Sequence, residues 1–140
     1  MGLNISTLDY HGYTNTNERF GSYRYLHVLR QWVGKEIDKL EFSNLHELYS
    51  DKNIRKTKFP VLIDHNDSEG GYLSFSEFGI EKVKDSVEWN DLDKLRLEMK
   101  ELKKHHKEMP PEVKECFDDF YKFVFDKVDG EIPVSMVIFH

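Results

Sequence analysis

Phe59-Pro60-Val61-Leu62-Ile63-Asp64-His65-Asn66-Asp67-Ser68-Glu69-Gly70-Gly71-Tyr72 is the stretch on which the fold reading turns. Phe59 to Ile63 is an apolar run bounded by turn residues, and it reads as a short strand in mid-chain. Alternate residues of extended chain share a face, so His65, Asp67 and Glu69 would point to one spot. Gly70 and Gly71 let the backbone turn sharply there.

Two further β patterns flank this one. Leu3 to Leu8 alternates apolar and polar residues, and Val134 to Phe139 is rich in β-branched and aromatic side chains. Helical periodicity fills most of the rest. A helix from about Ser22 to Leu40 carries Leu26, Leu29, Trp32, Val33, Ile37 and Leu40 at three- and four-residue steps. Asn44 and Glu47 form a capping-box pattern for a short helix through Tyr49. Another helix starts at Ser74 or Ser76 and reaches about Trp89. A charged helix runs from Asp91 to about Glu108, and a third long one from Pro110-Pro111 to about Val128. Residues 9–20 and Asp51 to Lys58 read as loop and polar connector. The result is one α+β domain over residues 1–140, a small sheet of about three strands covered by four to five helices.

At 140 residues the chain is long enough to bury a core without disulfides. Its net charge of −6 argues against general nucleic-acid binding, which needs a basic face. Cys116 is the single cysteine, so there is neither an internal disulfide nor a cysteine-based zinc site. A reducing cytoplasm suits it. No apolar run approaches the ~20 residues that span a bilayer, and the N-terminus shows no secretory signal. Met1 to Ser6 fits the short N-myristoylation pattern, which a buried first strand explains equally.

Several constellations carry chemistry. Gly71 to Phe78 matches the second half of an EF-hand loop, with Glu77 as the final ligand. Counting back, however, puts Gly70 at a ligand position, and a strand rather than a helix precedes the loop. His65, Asp67 and Glu69 suit a divalent metal, an acid–base pair or the polar groups of a ligand. A polar turn whose carboxylates cap backbone N–H groups accounts for the same letters. Tyr23, His27 and Arg30, four and three residues apart, share one helix face. Arg30 offers a planar fork for phosphate or carboxylate; a solvated stripe beside the apolar face is the plainer alternative. His140 places an imidazole beside the C-terminal carboxylate. Nucleophile-elbow, P-loop, CxxC and HExxH patterns are all missing from the sequence. Cys116 lies on an apolar helix face and reads as a buried, inert thiol.

Taken in order, these pieces form a pattern. Met1-Gly2-Leu3-Asn4-Ile5, then Tyr23, His27 and Arg30, then His65-Asn66-Asp67-Ser68-Glu69-Gly70, then Phe139-His140 span the whole chain. The chain thereby resembles a family of small, largely uncharacterised phage and bacterial proteins. Those begin Met-Gly-Leu-Asp-Ile, carry Tyr-x-x-x-His-x-x-Arg and a central His-Ser-Asp-Cys-Asp/Glu-Gly, and end near Phe-His. Asn4 stands here for the Asp, which argues against a shared metal-ligand or base role at that position, and Ser68 stands for the Cys, which argues against a shared thiol mechanism.

The resemblance implies a phage origin, action inside a bacterial host cell, and a pocket gathering Tyr23, His27, Arg30, His65, Asp67, Glu69, Gly70 and His140. The leading expectation is a small accessory protein that binds a small anionic, nucleotide-like ligand. It would sequester a host immune signal, with no cofactor and binding favoured over turnover. A metal-dependent hydrolase using His65, Asp67, Glu69 and His140 around a divalent metal is the second expectation. The third is a direct inhibitor of a host protein, whose charged helix from Asp91 to Glu108 would meet a basic partner. Oligomeric state and strand order are not readable from the letters.

Overall fold

The structure is a computed structural model that describes residues 5–17, 23–63, 79–129 and 131–139, residues 17 and 23–25 by backbone alone. One antiparallel sheet is its base. Strands β1 (Ile5–Asp9), β2 (Thr14–Asn17), β3 (Asn90–Asp91) and β4 (Val134–Phe139) lie in the order β2-β1-β4-β3. Seven α-helices accompany them among the described residues: α1 (Tyr23–Trp32), α2 (Leu45–Leu48), α3 (Asp51–Lys56), α4 (Pro60–Ile63), α5 (Ile80–Val83), α6 (Leu92–Lys103) and α7 (Pro111–Lys122). The class is α+β as expected, with four strands rather than three.

The first and last β patterns pair with each other. Ile5 stands opposite Phe139 and Thr7 opposite Val137, and a bulge at Leu8–Asp9 shifts the register before Val134. β2 occupies a stretch expected to be loop. Asp9 is the cause: its Oδ1 accepts from the N–H groups of His11 (2.8 Å) and Tyr13 (3.1 Å). Gly12 supplies the positive φ of 84° that closes the turn. Ser6 Oγ then bonds Thr16 Oγ1 across the hairpin at 2.9 Å. β3 is only two residues long, and its Asp91 immediately caps α6 by accepting from Asp93 N–H at 2.8 Å.

The core lies between one face of the sheet and the helices α1, α6 and α7. Leu26, Leu29 and Val33 meet Cys116, Phe117, Phe120 and Val124, with Leu95, Met99 and Leu102 beside them. Phe139 brings the sheet into this core and lies 6.0 Å from Phe120, ring to ring. Ser6 and Ile138, in register on the opposite face, are buried too, so this end of the sheet is covered on both sides.

Two of the three core helices end in π turns, Val33–Ile37 after α1 and Phe123–Lys127 after α7. Asp38 N–H reaches back to Val33 O at 3.0 Å, and Val128 N–H to Phe123 O at 2.9 Å. Gly34 sits in the first of these turns against a second layer: a Cβ there would stand 2.8 Å from Leu48 Cδ1 and 3.2 Å from Phe42 Cε1. Leu48 is fully buried.

The mid-chain reading is corrected. Phe59 to Ile63 is not a strand: Pro60–Ile63 is one helical turn, α4. Pro60 leads the turn with fixed φ and no N–H to satisfy. Val61 and Leu62 give their N–H groups to Glu98, at 3.1 and 2.9 Å, and Ile63 N–H bonds Phe59 O at 3.0 Å. Every N–H of the turn is thus satisfied without a neighbouring strand. Asp51–Lys56, expected as connector, is also a helix, capped by Ser50 at Asn53 N–H. Buried Asn53 then ties it to the carbonyls of Glu41 (3.1 Å) and Glu47 (2.8 Å).

Gly34→Val tests the close approach of the first π turn. The added side chain must displace buried Leu48, and we expect a loss of about 2 kcal/mol or more in urea unfolding. Unchanged stability would show that the α1–α2 contact is looser than described.

Candidate functional site

Arg30 is the centre of the described part of the expected site. It sits on α1 beside Leu26, Leu29 and Val33 and is fully buried, not part of a solvated stripe. Its Nε donates to Leu62 O at 2.7 Å. Its Nη1 reaches Tyr49 Oη at 3.5 Å, and the guanidinium lies over two rings, 5.6 Å from the Tyr49 centroid and 5.4 Å from that of Phe139. Nη2 is buried and has no hydrogen-bond partner among the described residues. No described carboxylate pairs with this cation.

His27, one helical turn before Arg30, is half-buried and shares a hydrogen bond between its Nδ1 and Tyr49 Oη. The two rings are 5.5 Å apart. Tyr49 therefore joins His27 to Arg30, and it is a site residue that the sequence reading missed. Its place follows from the Asn44 cap, which accepts Glu47 N–H at 2.9 Å and starts the short α2 that delivers Tyr49. Asn44 and Glu47 were the legible signal; which ring α2 would present was not.

Of the expected cluster, the structure brings together His27 and Arg30. His65, Asp67, Glu69, Gly70 and His140 lie outside the described residues, as does the side chain of Tyr23. So does the EF-hand-like loop. The described neighbours are informative. Leu62, three residues before His65, and Phe139, directly before His140, both touch the Arg30 guanidinium.

Glu98 is the second residue that sequence reasoning passed over. Its charged helix looked solvent-facing, yet Glu98 is 6% exposed beneath α4. Burial pushes its carboxyl up to about 7, against the pull of the Leu62 and Val61 N–H groups. Cys116 behaves as expected: it is buried, and burial pushes its thiol up to about 12, which removes it as a nucleophile.

Two clefts open elsewhere on the described surface. One, of about 320 Å³, lies over Glu98 between Lys58, Lys94 and Glu101. The other, of about 620 Å³, lies between the end of α6 and α7, with Lys103, Lys104, Lys107 and Lys122 around Tyr121. His106 is half-buried there and bonds Asp118 at 2.9 Å. The C-terminal end of the charged helix thus lines a cleft that holds four lysines together with the carboxylates of Asp118 and Asp126.

No helix among the described residues is long and apolar enough to cross a membrane. Likewise, no group of three or more His, Cys, Asp and Glu residues suited to a metal stands among them. Compared with protein-family models, with curated proteins and with solved structures, the chain matches none.

Glu98→Gln gives a pH-dependent result. Between the ordinary carboxylate value and about 7, the folded chain holds the Glu98 proton and the unfolded chain does not. Folding then takes up a proton, so native stability falls as pH rises through that window, on the order of 3 kcal/mol in all. The Gln variant lacks this slope but sets an amide donor against one backbone N–H, a cost of about 1–2 kcal/mol. Urea unfolding at pH 5 should find the variant less stable than wild type, with the gap closed or reversed at pH 8. Parallel pH profiles for the two proteins would contradict the assignment.

Proposed function

We propose that the chain binds a small anionic ligand, with the Arg30 guanidinium as the anion contact and Tyr49 with His27 as its polar and aromatic wall. The observation that carries this reading is buried Arg30, whose Nη2 has no partner and whose charge has no carboxylate among the described residues. An uncompensated buried charge costs several kcal/mol. A fold that keeps one sacrifices stability at that point, as functional sites do. A ligand oxyanion at Nη2 would supply the missing charge and a charge-assisted hydrogen bond together.

A nucleotide-like ligand fits this chemistry best, because it offers an anion to Arg30 and a ring to the aromatic side chains. In this reading Tyr23, His65, Asp67, Glu69, Gly70 and His140 complete the pocket, and sequestering a host signal during phage infection is its use. Binding rather than turnover is favoured by the only cysteine, buried and held as a thiol. The metal-hydrolase alternative rests entirely on residues outside those described.

Native mass spectrometry of the protein purified from bacterial cells tests the reading, with wild type and Arg30→Met run side by side and each repeated after chelation. Wild type should release a small anionic molecule on denaturation, and the variant should carry none. The variant removes a buried charge that no described carboxylate pairs, which offsets the lost bond to Leu62 O, so its melting temperature without ligand should stay within about 10 °C of wild type. A bare wild-type chain, or a variant that is strongly destabilised yet still loaded, overturns the proposal. A chelator-sensitive metal mass would favour the hydrolase.

A further inference from the structure

The two backbone groups of Leu62 are taken by two ionisable side chains from different helices. Its N–H goes to Glu98 Oε1 of α6 at 2.9 Å, and its C=O goes to Arg30 Nε of α1 at 2.7 Å. Val61 N–H adds a second bond to Glu98, at 3.1 Å. The α4 turn between them is a single turn, too short to hold its own geometry. Its place is set by what grips it, and so is the place of the Leu62 carbonyl that orients Arg30.

We propose that Glu98 is a positioning residue for the Arg30 site, acting through the backbone of Leu62. The inference rests on Arg30 being the anion contact. A Glu98 carboxylate accepts from the Val61 and Leu62 N–H groups more strongly than the neutral acid does, and so holds the turn in place. The Leu62 carbonyl then stays where Arg30 Nε meets it, which fixes the fork and leaves Nη2 aimed at the ligand. Neutral Glu98 holds the turn less tightly and lets the fork drift. The site therefore binds its anion more firmly above the Glu98 titration than below it.

The charged groups around Glu98 come from every element packed against it. Lys94 and Glu101 flank it on α6, and Asp38 faces it from the end of the first π turn. Lys58 approaches from the segment before α4, and His105 from the turn after α6. Lys94 favours the carboxylate and Asp38 opposes it, so burial and the two N–H bonds decide the balance. The cleft over Glu98 gives protons a route to it.

The test is read on Arg30 itself. Proton–nitrogen NMR of the full chain labelled in arginine follows the Arg30 Nε–H signal from pH 5 to 8.5. It should shift with a midpoint near 7, should shift likewise in Glu101→Gln, and should be flat in Glu98→Gln. A wild-type signal that does not move overturns the proposal, and this arm needs no variant to fold. A signal that still titrates in Glu98→Gln also overturns it, and assigns the effect to His27 through Tyr49. The same wild-type protein, kept loaded as purified, should retain its co-purified anion at pH 8 and lose at least tenfold in occupancy at pH 5.5. A chain that is bare at every pH overturns the ligand reading, while the NMR signal still decides for or against the link between Glu98 and Arg30.

Discussion

One residue's backbone, Leu62, ties the molecule together. Glu98 holds its N–H and Arg30 holds its C=O, so α6 and α1 are joined across a turn of four residues. Neither side chain would be tolerated here alone. A buried carboxylate and a buried guanidinium each cost several kcal/mol unless hydrogen-bonded. The α4 turn supplies those bonds and separates the two charges, so they do not neutralise each other as a direct ion pair would. That separation leaves Arg30 with charge to offer.

The turn is placed by a chain of small constraints that starts at the first π turn. An i-to-i−5 bond there brings Asp38 round to face the segment before α4. Asp38 accepts from the Thr57 hydroxyl and, at 3.2 Å, from Lys58 N–H. Thr57 Oγ1 in turn accepts Phe59 N–H at 3.0 Å, one residue before Pro60. A regular α-helical exit from α1 would rotate Asp38 by part of a turn and break this sequence of contacts. The π turn therefore belongs with the site it supports, because it sets the height of α4 above Arg30.

The long elements were legible in the letters because period and length agree. Leu26, Leu29 and Val33 on α1, Leu92, Leu95, Met99 and Leu102 on α6, and Val113, Cys116, Phe117 and Phe120 on α7 are buried at the expected steps. Val134 to Phe139 and the first strand paired as β patterns should. Phe59 to Ile63 failed because a short apolar run has no period to separate strand from buried turn. What decided it was Glu98, 36 residues from Leu62, which no local pattern reveals. β2 was missed because its Thr and Asn residues pack little, and its pairing is set by Asp9 and Gly12 outside it. At the site, helical spacing put His27 and Arg30 on one face, but Arg30's burial depends on rings from α2 and β4.

The anion site proposed around Arg30 would lie in an acidic protein. At net charge −6, long-range attraction does little to draw an anion in, and the lysine cleft at the end of α6 lies apart from Arg30's neighbours. Selectivity would then come from the site itself. A guanidinium with no carboxylate among the described residues, in a low-dielectric surround, would interact far more strongly with one well-placed oxyanion than a surface lysine does. It also penalises a neutral ligand, which would leave the charge buried and unpaired. Fixing Nε on Leu62 and Nη1 toward Tyr49 removes the freedom a flexible cation would lose on binding. The constraint that costs the free protein stability is thus the same one that would make recognition sharp.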